Sequence, residues 1–495
     1  MERTRPAESE GLSGLTTILD SATAAGKVWG ALLPAARAVA LRSVAEAIDA
    51  AVADLVPIAM TETHLSEARL VGEVQRTTSQ LRLFAQIVDE GSYLEATIDH
   101  VDPSWPSGPR PDIRRVLVPL GPVVVFAASN FPFAFSVAGG DTASALAAGC
   151  PVVLKAHPGH PALSARTAEV VTDALAAAGA PPGTFSLVYS EVEGRAAVED
   201  RRIKAAAFTG SLKGGRSLFD RAASRPDPIP FYGELGSLNP VFVTASAAAA
   251  RMAEIQSDYV GSYTLGAGQF CTKPGLLFLP EAAFDETAFA DAVATQPQTL
   301  LLNEHVEFGY LGVLEQLRSS AVVRTVVAGS GTGQTTPTLL TTTTAQLLAH
   351  TELLIECFGP ASMVVTYRDD AELLEAAAIF DGQLTATIHG EAHDPIAPIL
   401  LQSLTERAGR VIWNGWPTGV SVTWAMQHGG PYPATTAVAS TSVGTSAISR
   451  FLRPVAYQST PDNLLPAALK DTNPLGIPRR VDGRLHINES PTGLR

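Results

Sequence analysis

The chain has few cysteines and no pattern that would join them. Cys150, Cys271 and Cys357 lie far apart in 495 residues, without a CxxC pair. This spacing argues against a disulfide framework and against a zinc site built on thiolates. The histidines form no HExxH motif, and His157 and His160 in KAHPGH have no nearby carboxylate to complete a metal shell. We therefore predict no metal.

Long hydrophobic runs and basic blocks are lacking as well. The longest apolar stretch, GPVVVFAASNFPFAF, is interrupted by Pro122, Asn130 and Pro132, so it does not predict a membrane span. The first residues, MERTRPAESEGLSG, contain no apolar segment of a secretory signal. A net charge of −14 without a basic block argues against nucleic acid as a partner. We expect a cytoplasmic protein that binds neither membrane nor nucleic acid.

Alternating strand and helix patterns fill most of the chain. Its length exceeds what one compact core supports, so we expect two or three domains. Residues 12–95 show the periodicity of amphipathic helices, and from 120 to 236 apolar runs such as PVVVFAAS and PVVLKAH alternate with helical segments. This alternation predicts βαβ units in a doubly wound parallel sheet. A second α/β region begins at 237, and FLRPVAYQ indicates an isolated strand available to another subunit.

The segment GAGQFCTKPG surrounds Cys271 with glycines and a proline. Such flanks indicate a shaped loop, whereas a structural cysteine usually stands among aliphatic residues. Two interpretations remain open at this point. The side chain is either a small apolar filler or a reactive thiol.

The segment AAFTGSLKGG indicates a strand that ends at Phe208 and enters a glycine-rich turn before a helix. Gly210 and Gly215 would let the backbone approach a pyrophosphate at the helix N-terminus. The spacing is not GxGxxG, and an ordinary β-to-α turn with Ser211 as its N-cap explains the pattern equally well.

Lys155 stands at the C-terminal end of a strand, where open parallel sheets bind ligands. It could hold ribose hydroxyls or a 2′-phosphate, or it could be a solvated lysine. No acid occurs between Lys155 and Glu169, and an acid there would favour a free 2′-hydroxyl. The absence favours NADP.

Three further motifs place polar side chains beside turns. Glu234 in FYGELGSLNP is either a desolvated general base with a raised pKa or a capping glutamate. Asn130 in ASNFPF either donates to an oxyanion or tolerates a turn. Glu356 and Phe358 in ECFGPA either hold a ribose and stack on a nicotinamide or end a helix.

In this order the motifs resemble the aldehyde dehydrogenase superfamily, from residue 15 to 480. The resemblance rests on Asn130, Lys155, FTGS, GELGS, GQFCTKPG, ECFGP and WNGWPTG. Ser237 replaces the second glycine of the usual ELGG, and Lys273 replaces a common small residue. With NGWPTG, FLRPVAYQ and DTNPLGIPRRVDG, these departures are similar to the branch of 2,5-dioxovalerate (α-ketoglutaric semialdehyde) dehydrogenases and of NADP-dependent fatty aldehyde dehydrogenases.

The resemblance implies a fold of two doubly wound α/β domains and a small β element. A cofactor-binding domain would comprise 1–97 and 120–236, and a catalytic domain 237–446. The segments 98–119 and 447–480 would form an oligomerisation element and C-terminal tail. We expect a homodimer or homotetramer.

The resemblance also implies a site. Cys271 would attack an aldehyde to form a thiohemiacetal and then a thioester, Asn130 would stabilise the oxyanion, and Glu234 would activate the hydrolytic water. We expect NADP, with NAD as the alternative, to contact Ser129, Lys155, His157, Phe208, Thr209, Gly210, Ser211, Gly215, Leu235, Glu356 and Phe358. We expect the substrate pocket to include Phe131, Phe135, Asn414 and Trp416.

These features predict an NAD(P)-dependent aldehyde dehydrogenase that converts α-ketoglutaric semialdehyde to 2-oxoglutarate. The alternatives are an NADP-dependent fatty or general aldehyde dehydrogenase and, more remotely, a non-catalytic structural or binding member of the fold. A dicarboxylic semialdehyde requires a cation near the pocket mouth, whereas a fatty chain requires an apolar tunnel. The sequence alone does not show which arginine would supply this cation.

Overall fold

The structure, a computed structural model, describes residues 8–330 and 333–487. Its helices are α1 (Glu8–Trp29), α2 (Pro34–Ala50), α3 (Val52–Thr63), α4 (Glu67–Glu90), α5 (Gly140–Ala148), α6 (Pro161–Ala177), α7 (Glu191–Glu199), α8 (Leu212–Ala223), α9 (Ala245–Thr264), α10 (Glu286–Ala294), α11 (Glu304–Arg318), α12 (Thr344–Ala349), α13 (Asp370–Ala378) and α14 (Ala397–Thr405). None of these described helices is both long enough and apolar enough to cross a bilayer.

The strands form three separate sheets. They are β1 (Thr97–Asp99), β2 (Ile113–Pro119), β3 (Val123–Phe126), β4 (Val152–Lys155), β5 (Phe185–Val188), β6 (Ala205–Thr209), β7 (Phe231–Glu234), β8 (Val241–Val243), β9 (Leu276–Pro280), β10 (Arg324–Val327), β11 (Thr338–Thr343), β12 (Ala361–Tyr367), β13 (Gln383–His389), β14 (Ala408–Trp413), β15 (Leu452–Gln458), β16 (Arg479–Val481) and β17 (Arg484–His486).

The predicted helical region near the N-terminus is confirmed as α1 to α4. The longest of them, α4, begins where the Ser66 hydroxyl accepts a hydrogen bond from the Arg69 amide, and it ends at Gly91, whose φ is 83°. These two caps satisfy backbone groups that the helix itself leaves unpaired. The apolar face of α4 is buried against the core of the first sheet.

The first sheet is parallel, with the order β5-β4-β3-β6-β7. Its strands are apolar and mostly buried, as expected for a sheet covered by helices on both faces. Because β4 and β6 flank β3 on opposite sides, the strand order reverses at β3, and a crevice opens at the carboxyl ends of the strands. Phe126, Lys155 and Thr209 stand at those ends.

The second sheet has the order β10-β11-β12-β9-β8-β13-β14 and is parallel except for β10. Its core includes Phe242 and Phe278, whose rings stack with centroids 4.8 Å apart. The sequence did not predict β10 and β11. The second of these reads TLLTTT, and its threonines Thr338, Thr341 and Thr342 are buried although their polarity suggests a loop.

The third sheet corrects one prediction. The strand in FLRPVAYQ is β15, and it is not unpaired: it runs antiparallel to β2, from Leu452 opposite Pro119 to Gln458 opposite Ile113. The sheet order is β15-β2-β1-β16-β17, so β15 is an edge strand within the described residues. The sequence pattern indicated a strand correctly, but its partner lies more than three hundred residues earlier in the chain.

A buried ion pair joins the end of the second α/β region to the first. Arg450 donates to the Asp141 carboxylate at 2.7 Å, and both side chains are nearly inaccessible to solvent. The same guanidinium lies over the rings of Tyr232 and Phe451, 5.8 and 5.0 Å from their centroids. Removing one partner of such a pair leaves an uncompensated charge in the interior.

We predict that Arg450→Met destabilises the protein by about 3–5 kcal/mol, because Asp141 remains buried without its partner. The urea-denaturation midpoint measures this loss, and Asp141→Asn added to Arg450→Met should recover part of it. The matched control Arg42→Met breaks the exposed pair with Asp89 and should cost less than about 1 kcal/mol. Equal losses from the two single variants would contradict the prediction.

Candidate active site

The nucleophile loop, residues 269–275, follows a backbone segment with unusual φ angles and leads into the second sheet. Just before it, Gly266, Ala267 and Gly268 adopt left-handed backbone angles, with φ of 57°, 57° and 64°. A Cβ atom at Gly268 would collide with the carbonyl oxygen of Gly359. A glycine is therefore required at position 268 for sterics as well as for φ.

Two buried side chains fix the nucleophile loop. The Asn239 amide nitrogen donates to the carbonyls of Cys271 at 2.8 Å and of Lys273 at 3.0 Å. The Lys273 ammonium donates to the carbonyls of Cys357 at 2.7 Å and of Ala361 at 2.6 Å. Lys273, one of the two departures from the family pattern, thus ties the loop to the segment before β12.

The second departure, Ser237, lies between β7 and β8. Its hydroxyl donates towards Gln383 Oε1 at 3.0 Å and accepts from the Leu384 amide at 3.0 Å. Gln383 Oε1 also accepts from the amides of Leu238 and Asn239. Ser237 therefore helps to position the backbone that carries Asn239.

Three groups meet at the reactive centre: Cys271, Glu234 and His428. Glu234 Oε1 accepts a hydrogen bond from His428 Nε2 at 2.9 Å, and Oε2 accepts one from the Ser442 hydroxyl. Cys271 Sγ lies 3.5 Å from the same His428 nitrogen. His428 is wholly buried and Glu234 is 3% exposed, whereas Cys271 is half-buried. Nucleophile and carboxylate therefore face each other in a site largely shielded from water.

The direction of the Glu234 pKa corrects the sequence-based expectation. Burial alone raises it, but the attraction of His428 and the hydrogen bonds from His428 and Ser442 outweigh burial and leave the pKa lowered. The hydrogen-bond donors around Glu234 therefore favour its ionised form. The pKa of the Cys271 thiol is raised well above its usual value, first by burial and then by the negative charge of Glu234.

Asn130 lies beside the nucleophile loop. Its amide nitrogen donates to the Gln269 carbonyl at 3.0 Å, and its own carbonyl accepts from the Arg69 guanidinium at 3.2 Å. A side-chain amide carries two N–H donors, so one remains for an oxyanion. This placement agrees with the expected role of Asn130 but does not test it.

Aromatic rings and arginines form the wall next to the loop. Three of the rings, here called the phenylalanine cluster, belong to Phe131, Phe135 and Phe270. The centroid of the Phe131 ring lies 5.4 Å from that of Phe135 and 5.3 Å from that of Phe270. The Arg69 guanidinium lies 4.7 Å from the rings of Phe131 and Phe270. Arg76 lies 5.5 Å from the ring of Phe131 and 5.3 Å from that of Phe135. The structure thus brings two of the predicted pocket residues to the nucleophile.

The other two predicted pocket residues contact different parts of the protein. Asn414 bonds the backbone of Gly390 through both its amide oxygen and its amide nitrogen, each at 2.9 Å, and it also accepts from Arg251. Trp416 packs on His389, with ring centroids 4.6 Å apart, and on Tyr259. These contacts belong to the second sheet, so a pocket role for Asn414 and Trp416 stays a prediction.

The carboxyl edge of the first sheet carries polar groups that suit a dinucleotide. Thr209 Oγ1 is buried and has no hydrogen-bond partner within the described residues. Ser211 is indeed the N-cap of α8, because its hydroxyl accepts from the Gly214 amide at 3.2 Å. The orphaned hydroxyl and the positive end of α8 face the same crevice, a setting that favours an anionic ligand.

The glycines of this turn are required by packing. A Cβ at Gly210 would lie 2.7 Å from the Phe208 ring, and one at Gly215 would collide with the Leu235 side chain. Phe208 also packs at an angle against Phe126, with centroids 6.0 Å apart. The capping interpretation of the turn is therefore confirmed, and the approach of a pyrophosphate stays a prediction.

Lys155 is buried at the end of β4, and its stem packs on Gly194 at the start of α7. Burial lowers its pKa, while the negative charges of Glu191 and Glu193 raise it. The sequence argument found no acid between Lys155 and Glu169 but overlooked these two, which lie in the first turn of α7, after β5. Glu193 is already engaged as a capping-box residue with Ser190.

His157 and His160 shape the loops around this edge. His157 Nδ1 accepts from the Gly159 amide at 3.0 Å, and burial lowers its pKa to about 3, so the ring is neutral. His160 Nε2 lies 3.0 Å from the Ala128 carbonyl and holds the turn that leads to the half-buried Ser129. The two rings stack with centroids 5.4 Å apart.

Glu356 lies at the junction between the two sheets. Its carboxylate is so close to Gly236 that a Cβ there would collide with it. Burial raises the pKa of Glu356 to about 7, partly offset by Lys273 and by the Ser237 amide. Phe358, two residues on, is half-buried. The structure places both near the nucleophile loop, and their contact with a cofactor stays a prediction.

Several residues of the site were missed by sequence reasoning. His428 stands in MQHGGPYP, where a histidine before Gly-Gly-Pro was the available signal. Asn239 and Ser442 carry no local pattern of their own. Arg76 belongs to the regular periodicity of α4, which conceals that one of its faces reaches the site.

Comparison with known proteins gives consistent matches. The aldehyde dehydrogenase family profile matches residues 11–432. Alpha-ketoglutaric semialdehyde dehydrogenase 2 of Azospirillum brasilense is 46% identical over 459 residues, which cover 91% of this chain and 87% of that protein. Alpha-ketoglutaric semialdehyde dehydrogenase of Acinetobacter baylyi is also 46% identical, over 87% of this chain and 84% of its own. Among solved structures, 3,6-anhydro-L-galactose dehydrogenase in complex with NAP superposes with a TM-score of 0.76 at 22% identity, covering 90% of this chain and 91% of that one.

We predict that Glu234→Gln accelerates alkylation of Cys271 by iodoacetamide about tenfold at pH 7.5, because removing the carboxylate charge lowers the thiol pKa. Second-order rate constants across pH measure the shift. Burial raises the pKa of both Cys150 and Cys357 to about 11, so neither should be alkylated, and the Cys271→Ala variant verifies this. An unchanged or slower rate in Glu234→Gln would contradict the proposed electrostatic coupling.

Proposed function

This chain belongs to the aldehyde dehydrogenase family, and we propose that it oxidises α-ketoglutaric semialdehyde to 2-oxoglutarate with a nicotinamide dinucleotide. The observation that carries the proposal is 46% identity to the Azospirillum brasilense enzyme over 91% of the chain. The family match and the structural likenesses confirm the predicted α/β fold and the resemblance seen in the motifs. The geometry of Cys271, Glu234 and Asn130 supports the chemistry.

The first chemical step forms a bond from Cys271 Sγ to the aldehyde carbon. The thiol proton passes to Glu234, the nearest carboxylate, and the carbonyl electron pair moves to oxygen. We propose that the remaining N–H of Asn130 and the backbone N–H of Cys271 stabilise this oxyanion, each worth about 3–4 kcal/mol in comparable sites. Because the thiol pKa is raised, its deprotonation depends on the adjacent base.

The second step releases the acid. Once the aldehyde carbon has lost its hydride, a thioester joins the substrate to Cys271. Glu234 first releases the thiol proton to solvent and then takes a proton from a water molecule. The water oxygen attacks the thioester carbon, the C–S bond breaks, and the departing thiolate takes the proton back from Glu234. We propose that His428 and Ser442 are positioning residues that keep Glu234 ionised and aimed at the nucleophile.

The crevice at the carboxyl edge of the first sheet fits the cofactor. Lys155, the unpartnered Thr209 hydroxyl and the N-terminus of α8 offer donors to ribose and phosphate groups. We propose NADP, with Lys155 facing the 2′-phosphate and Glu356 facing the nicotinamide ribose. When bound, the cofactor supplies the acceptor for the hydride.

A longer, uncharged aldehyde is the second candidate substrate. The phenylalanine cluster presents apolar surface beside the nucleophile, which suits a hydrocarbon chain. The two guanidinium groups that lie over these rings favour an anionic substrate instead. The non-catalytic alternative has no support from the site, because nucleophile and base face each other.

We further propose that the domain built on the first sheet binds the cofactor and that the domain built on the second provides the nucleophile. The third sheet would assemble a homodimer or homotetramer through the edge of β15, whose outer side has no partner strand in the described residues. Location in the cytoplasm stays a prediction.

We predict that kcat/KM for α-ketoglutaric semialdehyde exceeds that for hexanal at least about tenfold, which corresponds to about 1.4 kcal/mol in transition-state binding. Initial rates of NADPH or NADH formation measure it, and Cys271→Ala should lower kcat by about 10⁴ or more. The reverse ranking would indicate a fatty or general aldehyde dehydrogenase. No turnover with any aldehyde and either cofactor would indicate the non-catalytic alternative.

We predict that Lys155→Met raises KM for NADP about tenfold or more and KM for NAD much less, because a charge-assisted hydrogen bond to the 2′-phosphate is lost. Steady-state kinetics with both cofactors measure the difference. Lys204→Met, at an exposed lysine before β6 and away from the carboxyl edge, is the matched control. Equal increases for both cofactors would show that Lys155 contacts only the part that they share.

A further inference from the structure

Arg76 lies on the face of α4 that reaches the nucleophile. Its guanidinium carbon is 5.5 Å from the ring of Phe131 and 5.3 Å from that of Phe135. Phe131 follows Asn130 in the chain and packs edge-on against Phe270, the residue before Cys271. The positive charge is also close enough to the reacting centre to attract the negative charges of Cys271 and Glu234.

The other arginines around the site are already engaged. Arg69 donates to the Asn130 carbonyl at 3.2 Å and pairs with Glu73 at 3.7 Å. Arg410 donates to the carbonyls of Pro417 at 2.6 Å and Gly419 at 3.1 Å. Their guanidinium groups hold backbone carbonyls and aromatic rings in place, so their role in the site is structural.

Whereas Arg410 lacks a partner only at Nε, Arg76 makes no hydrogen bond at all within the described residues. Its Nε is buried and has no hydrogen-bond partner in the part of the chain that the structure describes. The nearest acid on the helix, Glu73, already accepts from the amides of Phe133 at 2.8 Å and Ala134 at 3.0 Å and pairs with Arg69. Two guanidinium groups thus share one carboxylate that is committed to other donors.

A half-buried guanidinium without a hydrogen-bond acceptor gains free energy when an anionic ligand supplies one. The guanidinium fork matches a carboxylate in a bidentate arrangement, and its flat face can remain on the phenylalanine rings. An anionic ligand with a short carbon chain would satisfy Arg76 and lie along Phe131 at the same time. A fatty aldehyde would leave the Arg76 guanidinium without an acceptor.

We infer that Arg76 binds the carboxylate of the substrate and thereby selects short aldehydes that carry an acid at the far end. The inference rests on the proposed function and names the residue responsible for its specificity. In α-ketoglutaric semialdehyde, about 5 Å separate the aldehyde carbon from the carboxylate carbon in an extended chain. This length allows the aldehyde to lie at Cys271 while the carboxylate passes Phe131 towards Arg76.

The test compares Arg76→Met, Arg76→Lys and the control Arg82→Met. Arg82 lies on the same helix but is exposed and pairs with Asp49 at 2.6 Å, away from the site. Each protein is assayed with α-ketoglutaric semialdehyde and with pentanal, an uncharged aldehyde of equal carbon number. Thermal denaturation verifies that the variants fold, and Arg76→Lys keeps the charge if Arg76→Met does not fold.

Arg76→Met should lower kcat/KM for the semialdehyde at least about 30-fold and for pentanal less than about threefold, since only the first makes the charge-assisted bonds. Arg76→Lys should lie between wild type and Arg76→Met for the semialdehyde. Arg82→Met should change neither substrate. Equal effects of Arg76→Met on both aldehydes, or no effect on the semialdehyde, would overturn the inference.

Binding of 2-oxoglutarate, measured by calorimetry, separates failure of this inference from failure of the proposed function. If wild type oxidises no semialdehyde, the proposed function fails, yet weaker 2-oxoglutarate binding in Arg76→Met still supports a carboxylate site at Arg76. If wild type is active and both proteins bind 2-oxoglutarate equally, the function stands and the assignment of Arg76 is wrong.

Discussion

The Asn239 side-chain amide donates to two carbonyls of the nucleophile loop at once, and the arrangement of the whole site depends on this contact. Asn239 adopts a left-handed φ of 49° at the entry to β8, where its backbone is fixed by Gln383. The Lys273 ammonium ties the other side of the loop to the segment before β12. A thiol held this way is placed by the second sheet, while its base is placed by β7 of the first sheet.

The electrostatics of the centre follow from that placement. Glu234 is nearly inaccessible to water, which would favour its neutral form, yet donors from His428 and Ser442 keep it charged. Its charge in turn keeps the Cys271 thiol protonated until Sγ attacks a substrate. Nucleophile and base are therefore coupled, and neither titrates independently of the other. A resting thiol in this environment is protected from adventitious oxidation, because the thiolate is the reactive form.

The arginines around the site differ in whether protein acceptors satisfy their guanidinium groups. Arg69 and Arg410 are anchored to backbone carbonyls, and their cost of burial is offset by protein acceptors. Arg76 shares their surroundings, yet within the described residues it donates no hydrogen bond to any acceptor, and its Nε is buried without a partner. Structural and ligand-binding arginines are thus separated here by hydrogen-bond satisfaction, a property that burial alone does not reveal.

The alternation of helices and strands outside β10 and β11, the parallel first sheet and the motifs around Cys271, Glu234 and Asn130 were determined by the sequence itself, because apolar periodicity and turn residues act over short distances. Only the tertiary structure decided the partner of β15, the lowered pKa of Glu234 and the presence of His428, which lies 194 residues from the carboxylate that it contacts. It likewise directed Arg76, one member of a regular helix, towards the phenylalanine cluster. The physical reason is that a pKa and a strand pairing depend on every charge and donor nearby in space, whereas a motif contains only its neighbours in the chain.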